Sequence, residues 1–157
     1  MRSTFTIALI LSLPALGHAQ TLPKGTSSLS SSEISTMFSG KTYSFQEKGK
    51  NGKMTPIAWY LGEDGKMLGY TGNGPSYAEG TWSASDGKLC VKNRWVGSWG
   101  TSDSSDCQEW AHETAKTQAT YRAETSKGGK FEKLSPKLAS GDTISPKIAA
   151  LKAKLKK

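Results

Sequence analysis

Residues 57–95 read IAWYL-GEDGK-MLGYT-GNGP-SYAEGTWSA-SDGK-LCVKNRW, and the fold is decided in that stretch. Ile57, Trp59 and Leu61 alternate with Ala58 and Tyr60, the period of two that puts large apolar side chains on one face of a strand. Glu63-Asp64-Gly65-Lys66 then reads as a hairpin turn, because Asp-Gly tolerates the positive φ of a tight reversal. Met67 to Thr71 is the return strand, and Gly72-Asn73-Gly74-Pro75 interrupts it. Tyr77 to Ser83 resumes the pattern, and Ser85-Asp86-Gly87-Lys88 turns the chain again into Leu89 to Trp95. Strands joined by such short turns are antiparallel, since parallel neighbours need long crossovers.

The same reading extends in both directions. Tyr43 and Phe45 alternate with polar neighbours upstream. Downstream, Val96 to Ser105 reads as a long loop, followed by strands at Cys107 to His112, Thr117 to Glu124 and Lys130 to Leu134. The expectation is an all-β, single antiparallel meander of about eight strands, a small barrel-like domain over residues 34–134. A sandwich is the other arrangement this spacing allows. A short helix precedes it: Ser30 and Glu33 have capping-box spacing, Ile34, Met37 and Phe38 share a face, and Gly40 closes the end. Residues 20–33 before that helix read as a flexible leader, rich in serine. Residues 135–157 read as a basic tail ending in a short amphipathic helix. There Ser145 is the cap, Pro146 the first helical residue, and Ile148, Leu151 and Leu155 recur on one side. About twelve residues is marginal for an isolated helix, so this one docks on the barrel or folds on a partner.

Residues 1–19 fit a secretory signal peptide, with Arg2, an apolar run from Phe5 to Leu13, Pro14, and Gly17-His18-Ala19 as a cleavage site. That run is too short to span a bilayer. Export, to the periplasm or beyond, makes Cys90 and Cys107 a structural disulfide rather than a redox pair. Closing that loop is worth ~3 kcal/mol in the chain-entropy model.

The formal charge of +8 suggests nucleic acid until it is placed. Residues 20–126 hold equal numbers of basic and acidic side chains, whereas residues 127–157 carry nine lysines against Glu132 and Asp142. A neutral body with an all-lysine tail lacks the arginines and interleaved aromatics of a nucleic-acid face.

Catalytic signatures are sparse. His112 is the one histidine outside the signal segment, no Gly-x-Ser-x-Gly elbow occurs, and neither phosphate-binding glycine motif is present. Glu79 and Glu109 remain the candidates for a carboxylate-dependent hydrolase, which needs two acids on facing walls of a cleft. Asp103 and Asp106 lack the glycine and terminal glutamate of a calcium loop. The chain reads as non-enzymatic, without cofactor or metal, and monomeric.

Binding is better supplied. Of five tryptophans, Trp59 and Trp82 fall in strands and read as core, while Trp95, Trp99 and Trp110 flank the Cys90–Cys107 loop as candidate binding residues. Trp99, in Gly97-Ser98-Trp99-Gly100, either stands exposed as a platform or folds back to cap the barrel's open end. Lys147, Lys152 and Lys154 are candidates for an anionic lipid surface, or else form the solvated face of a docked helix.

Gly80-Thr81-Trp82, then Asp86-Gly87-Lys88-Leu89-Cys90, Trp95 and Cys107 resemble a family of small exported proteobacterial proteins classed as a domain of unknown function. Phe38-Ser39-Gly40-Lys41-Thr42, the Asp64-Gly65 turn and Gly141-Asp142-Thr143-Ile144-Ser145 are similar to the family's ends. The resemblance, over about residues 34–155, implies an envelope or secreted location in a Gram-negative bacterium and brings no activity with it. The expected function is an exported envelope binding protein whose ligand is a polysaccharide or an anionic lipid surface. Its rivals are a secreted inhibitor presenting residues 98–106, the carboxylate hydrolase, and a pocket for a small apolar molecule inside the barrel.

Overall fold

The computed structural model describes residues 21–48, 52–125 and 128–155; the expected signal segment and cleavage site, residues 1–19, lie outside them. In chain order the elements are β1 (Thr26–Ser28), α1 (Ser31–Phe38), β2 (Lys41–Lys48), β3 (Met54–Leu61), β4 (Lys66–Thr71), β5 (Ser76–Ser85) and β6 (Lys88–Gly97). They continue with β7 (Gly100–Glu113), β8 (Ala119–Glu124), β9 (Glu132–Lys133), β10 (Lys137–Ser140) and α2 (Ser145–Leu155). The strands form one antiparallel sheet in the order β10-β2-β3-β4-β5-β6-β7-β8-β9, with β1 added on β7. The sheet curls into a half-barrel, so the meander is borne out, with nine or ten strands rather than eight.

The turns are those the sequence asks for. Asp86 and Gly87 both take positive φ, 51° and 70°, the conformation of a two-residue hairpin that matches strand twist. Trp82 Nε1 donates to the Gly62 carbonyl at 2.8 Å and locks the Asp64-Gly65 hairpin to β5. In α1 the Ser30 hydroxyl accepts from the Glu33 amide while the Glu33 carboxylate accepts from the Ser30 amide, completing the capping box. The same contacts hold the Glu33 carboxyl below its ordinary range.

Three segments differ from expectation. Residues 96–105 are not a long loop: β6 and β7 pair in register from Lys88↔Glu109 out to Gly97↔Gly100, and only Ser98 and Trp99 make the reversal. Within the leader, Thr26–Ser28 pairs with Ala111–Glu113 and so adds a strand. Within the tail, Lys137–Ser140 pairs with Lys41–Ser44. Ser145 is also not the cap of α2. Asp142 Oδ1 accepts from the Ile144 and Ser145 amides, both at 2.9 Å, and these bonds with the Ser145 hydroxyl lower the Asp142 pKa against the opposing pull of burial.

Pairing fixes the faces. Tyr43, Trp59, Gly69, Ala78, Trp95 and Ser102 form one row across β2 to β7. Residues two apart on each strand share that concave face. At one end it is sealed by α1, whose Ile34 and Phe38 are fully buried. Phe38, Tyr43, Phe45, Trp59 and Trp110 pack there with ring centroids 4.8–6.1 Å apart. Edge and offset pairs of this kind add about 0.5–1.5 kcal/mol each beyond area burial.

The gap between β8 and β2, each next to an edge strand, is bridged by side chains. Arg122 on β8 donates from Nη1 to the Tyr43 hydroxyl at 2.9 Å, pairs through Nη2 with Glu124 at 2.7 Å, and lies over the Phe45 ring. On the convex side α2 docks with Ile148 and Leu151 buried. Lys147 lies over Tyr70, and Lys152 lies over Tyr77 while pairing with Glu79.

Candidate functional site

The end of the half-barrel opposite α1 is open, and polar groups line it. A cavity of about 320 Å³ sits there between Trp59 and Trp95, with Ile57, Thr71, Ser76, Val91 and Asp106 on its walls and Glu47 and Glu124 at its side. The arrangement follows from alternation, since Trp95 and Val91 share a face of β6, and Val91 pairs with Asp106 on β7. Gly69 and Ala78 make room for the indole: a Cβ on Gly69 would lie 3.1 Å from Trp95 Cη2. Thr71 and Ser76 form a buried hydroxyl pair at 3.1 Å.

Several polar atoms on this face have no hydrogen-bond partner among the described residues. They are Trp59 Nε1, Asn93 Nδ2, Asp106 Oδ1, Gln108 Oε1 and Trp110 Nε1. Asn93 is 7 % exposed and Gln108 1 %, so bulk water does not serve them freely. Ser104 donates to Asn93 Oδ1 at 3.2 Å and leaves the amide nitrogen unused. Orphaned buried polar groups each cost about 1–3 kcal/mol, and a concentration of them calls for an explanation.

Beyond the cavity the β6–β7 hairpin projects past the core. It is held on its convex side by the Cys90–Cys107 disulfide, which joins directly paired residues, and by Arg94 donating to both carboxylate oxygens of Asp103 at 2.8 and 3.0 Å. That pairing raises the Arg94 pKa and lowers that of Asp103. Trp99, at the tip, is 56 % exposed. Its indole folds against Gly97, where a Cβ would lie 2.5 Å from Nε1, which places it on the concave face in line with Trp95. Trp95 and Trp99 therefore lie on the same face of the hairpin.

The other sequence candidates fall elsewhere. Trp110 is fully buried against Phe38 and Tyr43, so it is a core residue rather than a binding one. Lys147 and Lys152 face tyrosines of the sheet, and Lys154 is exposed on α2. Glu79 pairs with Lys152, and Glu109 with Lys88 at 3.1 Å. The register sets Glu109 opposite Lys88 and Lys88 opposite Ser85, six residues along β5 from Glu79. Six residues span about 20 Å, too far for a glycosidase pair at about 5–10 Å. His112 bonds through Nδ1 to the Glu113 carbonyl at 2.9 Å, beside β1. Among the described residues, no group of three His, Cys, Asp or Glu side chains is placed to hold a metal ion. No described helix is long and apolar enough to cross a membrane.

The family model described as protein of unknown function (DUF995) matches residues 6–133, from before α1 through β9. The chain belongs to that family. The match spans the whole meander and both cysteines, and stops short of β10 and α2. The family's description assigns no activity, so the open end of the half-barrel stands on its own geometry. No curated protein and no solved structure matches the chain significantly.

Sequence reasoning missed Asp106 as a site residue, and Asn93 and Gln108 as buried polar residues of the same face. The available signal was polar residues at inward positions of strands β6 and β7, in phase with Val91 and Trp110.

Proposed function

We propose that this protein is exported to the bacterial envelope and acts there by binding, not by chemistry, with a saccharide as its ligand. Export is supported by the signal-like residues 1–19 and by the disulfide, a bond of oxidising compartments. The observation that carries the saccharide reading is the placing of exposed Trp99 and partly exposed Trp95 on one concave face, beside a cavity lined by hydroxyls and carboxylates. Sugar rings present C–H faces that stack on indoles, and hydroxyls that both donate and accept. An anionic lipid surface is less well supported, because Lys147 and Lys152 are engaged on the sheet.

The test is co-sedimentation of the protein with peptidoglycan, lipopolysaccharide and lipid vesicles at low and high salt, with Trp99→Ala beside it. Binding to a polysaccharide that survives salt and is lost in Trp99→Ala is the expected result. Salt-sensitive binding to vesicles that Trp99→Ala leaves intact overturns the reading. The projecting hairpin also favours a second reading, an inhibitor that offers Trp99 to an envelope-degrading enzyme. Saturable binding to such an enzyme, with none to envelope material, selects it.

A further inference from the structure

A second, larger cavity lies away from the saccharide face, and we propose that it binds an anionic amphiphile, a single acyl chain ending in a carboxylate or phosphate. The cavity holds about 560 Å³, within the range of about 300–1,000 Å³ in which small-molecule sites fall. It exists because the sheet is incomplete there. β10 pairs with β2 only as far as Lys137↔Ser44, and Ser44, Ala58 and Gly72 on the lining are too small to fill the space. The site uses none of Trp95, Trp99 or Asp106.

Much of the wall is apolar, and a ligand can reach it. Met54, Pro56, Ala58, Tyr70 and Leu134 line the cavity and all keep surface open to solvent. Met54 is 51 % exposed, second only to Trp99 among the large apolar side chains of the described residues. An aliphatic chain laid along that wall removes apolar surface from water on both partners.

Charge selects the head group. Four charged side chains line the cavity: Lys137, Lys147, Arg122 and Glu132. Arg122 pairs with Glu124, and the β8–β9 register sets Glu132 directly opposite Arg122. Lys137 on β10 and Lys147 on α2 are exposed, and neither has a carboxylate within ion-pair distance among the described residues. Lys147 lies over the Tyr70 ring at 5.8 Å, a contact that orients its ammonium without cancelling its charge. The surplus of charge is therefore positive and sits at the two lysines. Ammonium groups only donate, so the head that complements them is an acceptor of negative charge. Ser44, opposite Lys137 in the register, adds a hydroxyl donor for the same head.

The experiment is titration calorimetry of the purified protein with decanoate, decyltrimethylammonium and acetate, the two amphiphiles kept below their micelle-forming concentrations. Decanoate is expected to bind about tenfold or more tighter than decyltrimethylammonium, the worth of one charge-assisted contact, while acetate does not saturate. The double variant Lys137→Gln with Lys147→Gln is expected to erase the difference between the amphiphiles, and Trp99→Ala to leave it intact. The contrast on the unsubstituted protein needs no variant, so a poorly folded double variant does not obscure the result. Equal binding of the two amphiphiles, acetate binding as tightly as decanoate, or no binding of either amphiphile overturns the proposal. Decanoate binding that is lost in Trp99→Ala puts the ligand at the hairpin and overturns this site. Binding to phosphatidylglycerol vesicles with none to decanoate overturns the cavity and assigns the lysines to a membrane surface instead.

Discussion

Replacing Arg122 by methionine tests whether the seam of the half-barrel is held as described. The side chain is buried, donates to Tyr43 at 2.9 Å, pairs with Glu124 at 2.7 Å and covers the Phe45 ring at 5.4 Å. Methionine keeps much of the volume but removes the guanidinium that neutralises Glu124 and the donor that serves the Tyr43 hydroxyl. Breaking a buried pair by removing one partner costs about 3–5 kcal/mol, because the remaining charge stays in a poorly solvated place. For a chain of this size that lowers Tm by roughly 10–20 °C. Arg122→Met with Glu124→Gln removes the charge as well as its partner, and is expected to recover at least half of the loss. The assay is urea denaturation at neutral pH, followed by tryptophan fluorescence, run as a double-mutant cycle. A single variant that loses under about 1 kcal/mol, or a double variant that loses the sum of the two singles, refutes the reasoning.

Other consequences are as definite. Burial raises the Tyr43 pKa to about 12, so the native protein keeps a proton that the unfolded chain releases near pH 10. Stability is whole below about pH 10 and falls as pH rises toward 12, by about 3 kcal/mol in full, and Tyr43→Phe flattens that slope in alkaline denaturation curves. Gly80→Ala places a Cβ on the Lys92 carbonyl and 2.6 Å from Asn93 Cα, backbone that cannot yield without parting β5 from β6. A loss of about 3 kcal/mol or more in urea melts is expected, and a neutral result refutes the close approach. Reducing the disulfide lowers stability by about 3 kcal/mol, read as a shift of the urea midpoint to lower concentration. Trp99→Ala leaves Tm within about 2 °C, since the indole is mostly exposed, while polysaccharide co-sedimentation disappears.

Much of the architecture was legible because local chemistry and the tertiary fold agree. Asp64-Gly65 and Asp86-Gly87 mark both hairpins, and the Ser30–Glu33 box begins α1 where expected. What escaped did so for physical reasons. Gly100 to Ser105 is a strand exposed on both faces, so Thr-Ser-Asp-Ser-Ser carries no apolar alternation and reads as loop. Thr26–Ser28 and Lys137–Ser140 are too short for any period to show. Trp110 was misplaced because Gln108 and Glu109, just before it on the strand, are polar. Gln108 shares its inward face, and only the partner strands reveal that both point into the barrel.

The two ends of the half-barrel make opposite thermodynamic choices. At the α1 end, Phe38, Tyr43 and Trp110 exclude water and supply the stabilising burial. Between that end and the cavity, Asn93 and Gln108 on the concave face have polar atoms that no side chain satisfies among the described residues, and on the cavity wall the Asp106 carboxylate has one buried oxygen unused. Apolar side chains of similar volume at these three positions would be less costly by the ordinary accounting of buried polar groups. The expectation follows that Asn93→Leu or Gln108→Leu leaves the protein as stable or makes it more so, as read by urea melts. A functional binding face accepts such a loss, whereas a purely structural one has no reason to. If each leucine variant instead loses more than about 2 kcal/mol, these amides hold the fold together through partners of their own, and their burial is structural rather than a mark of a binding face.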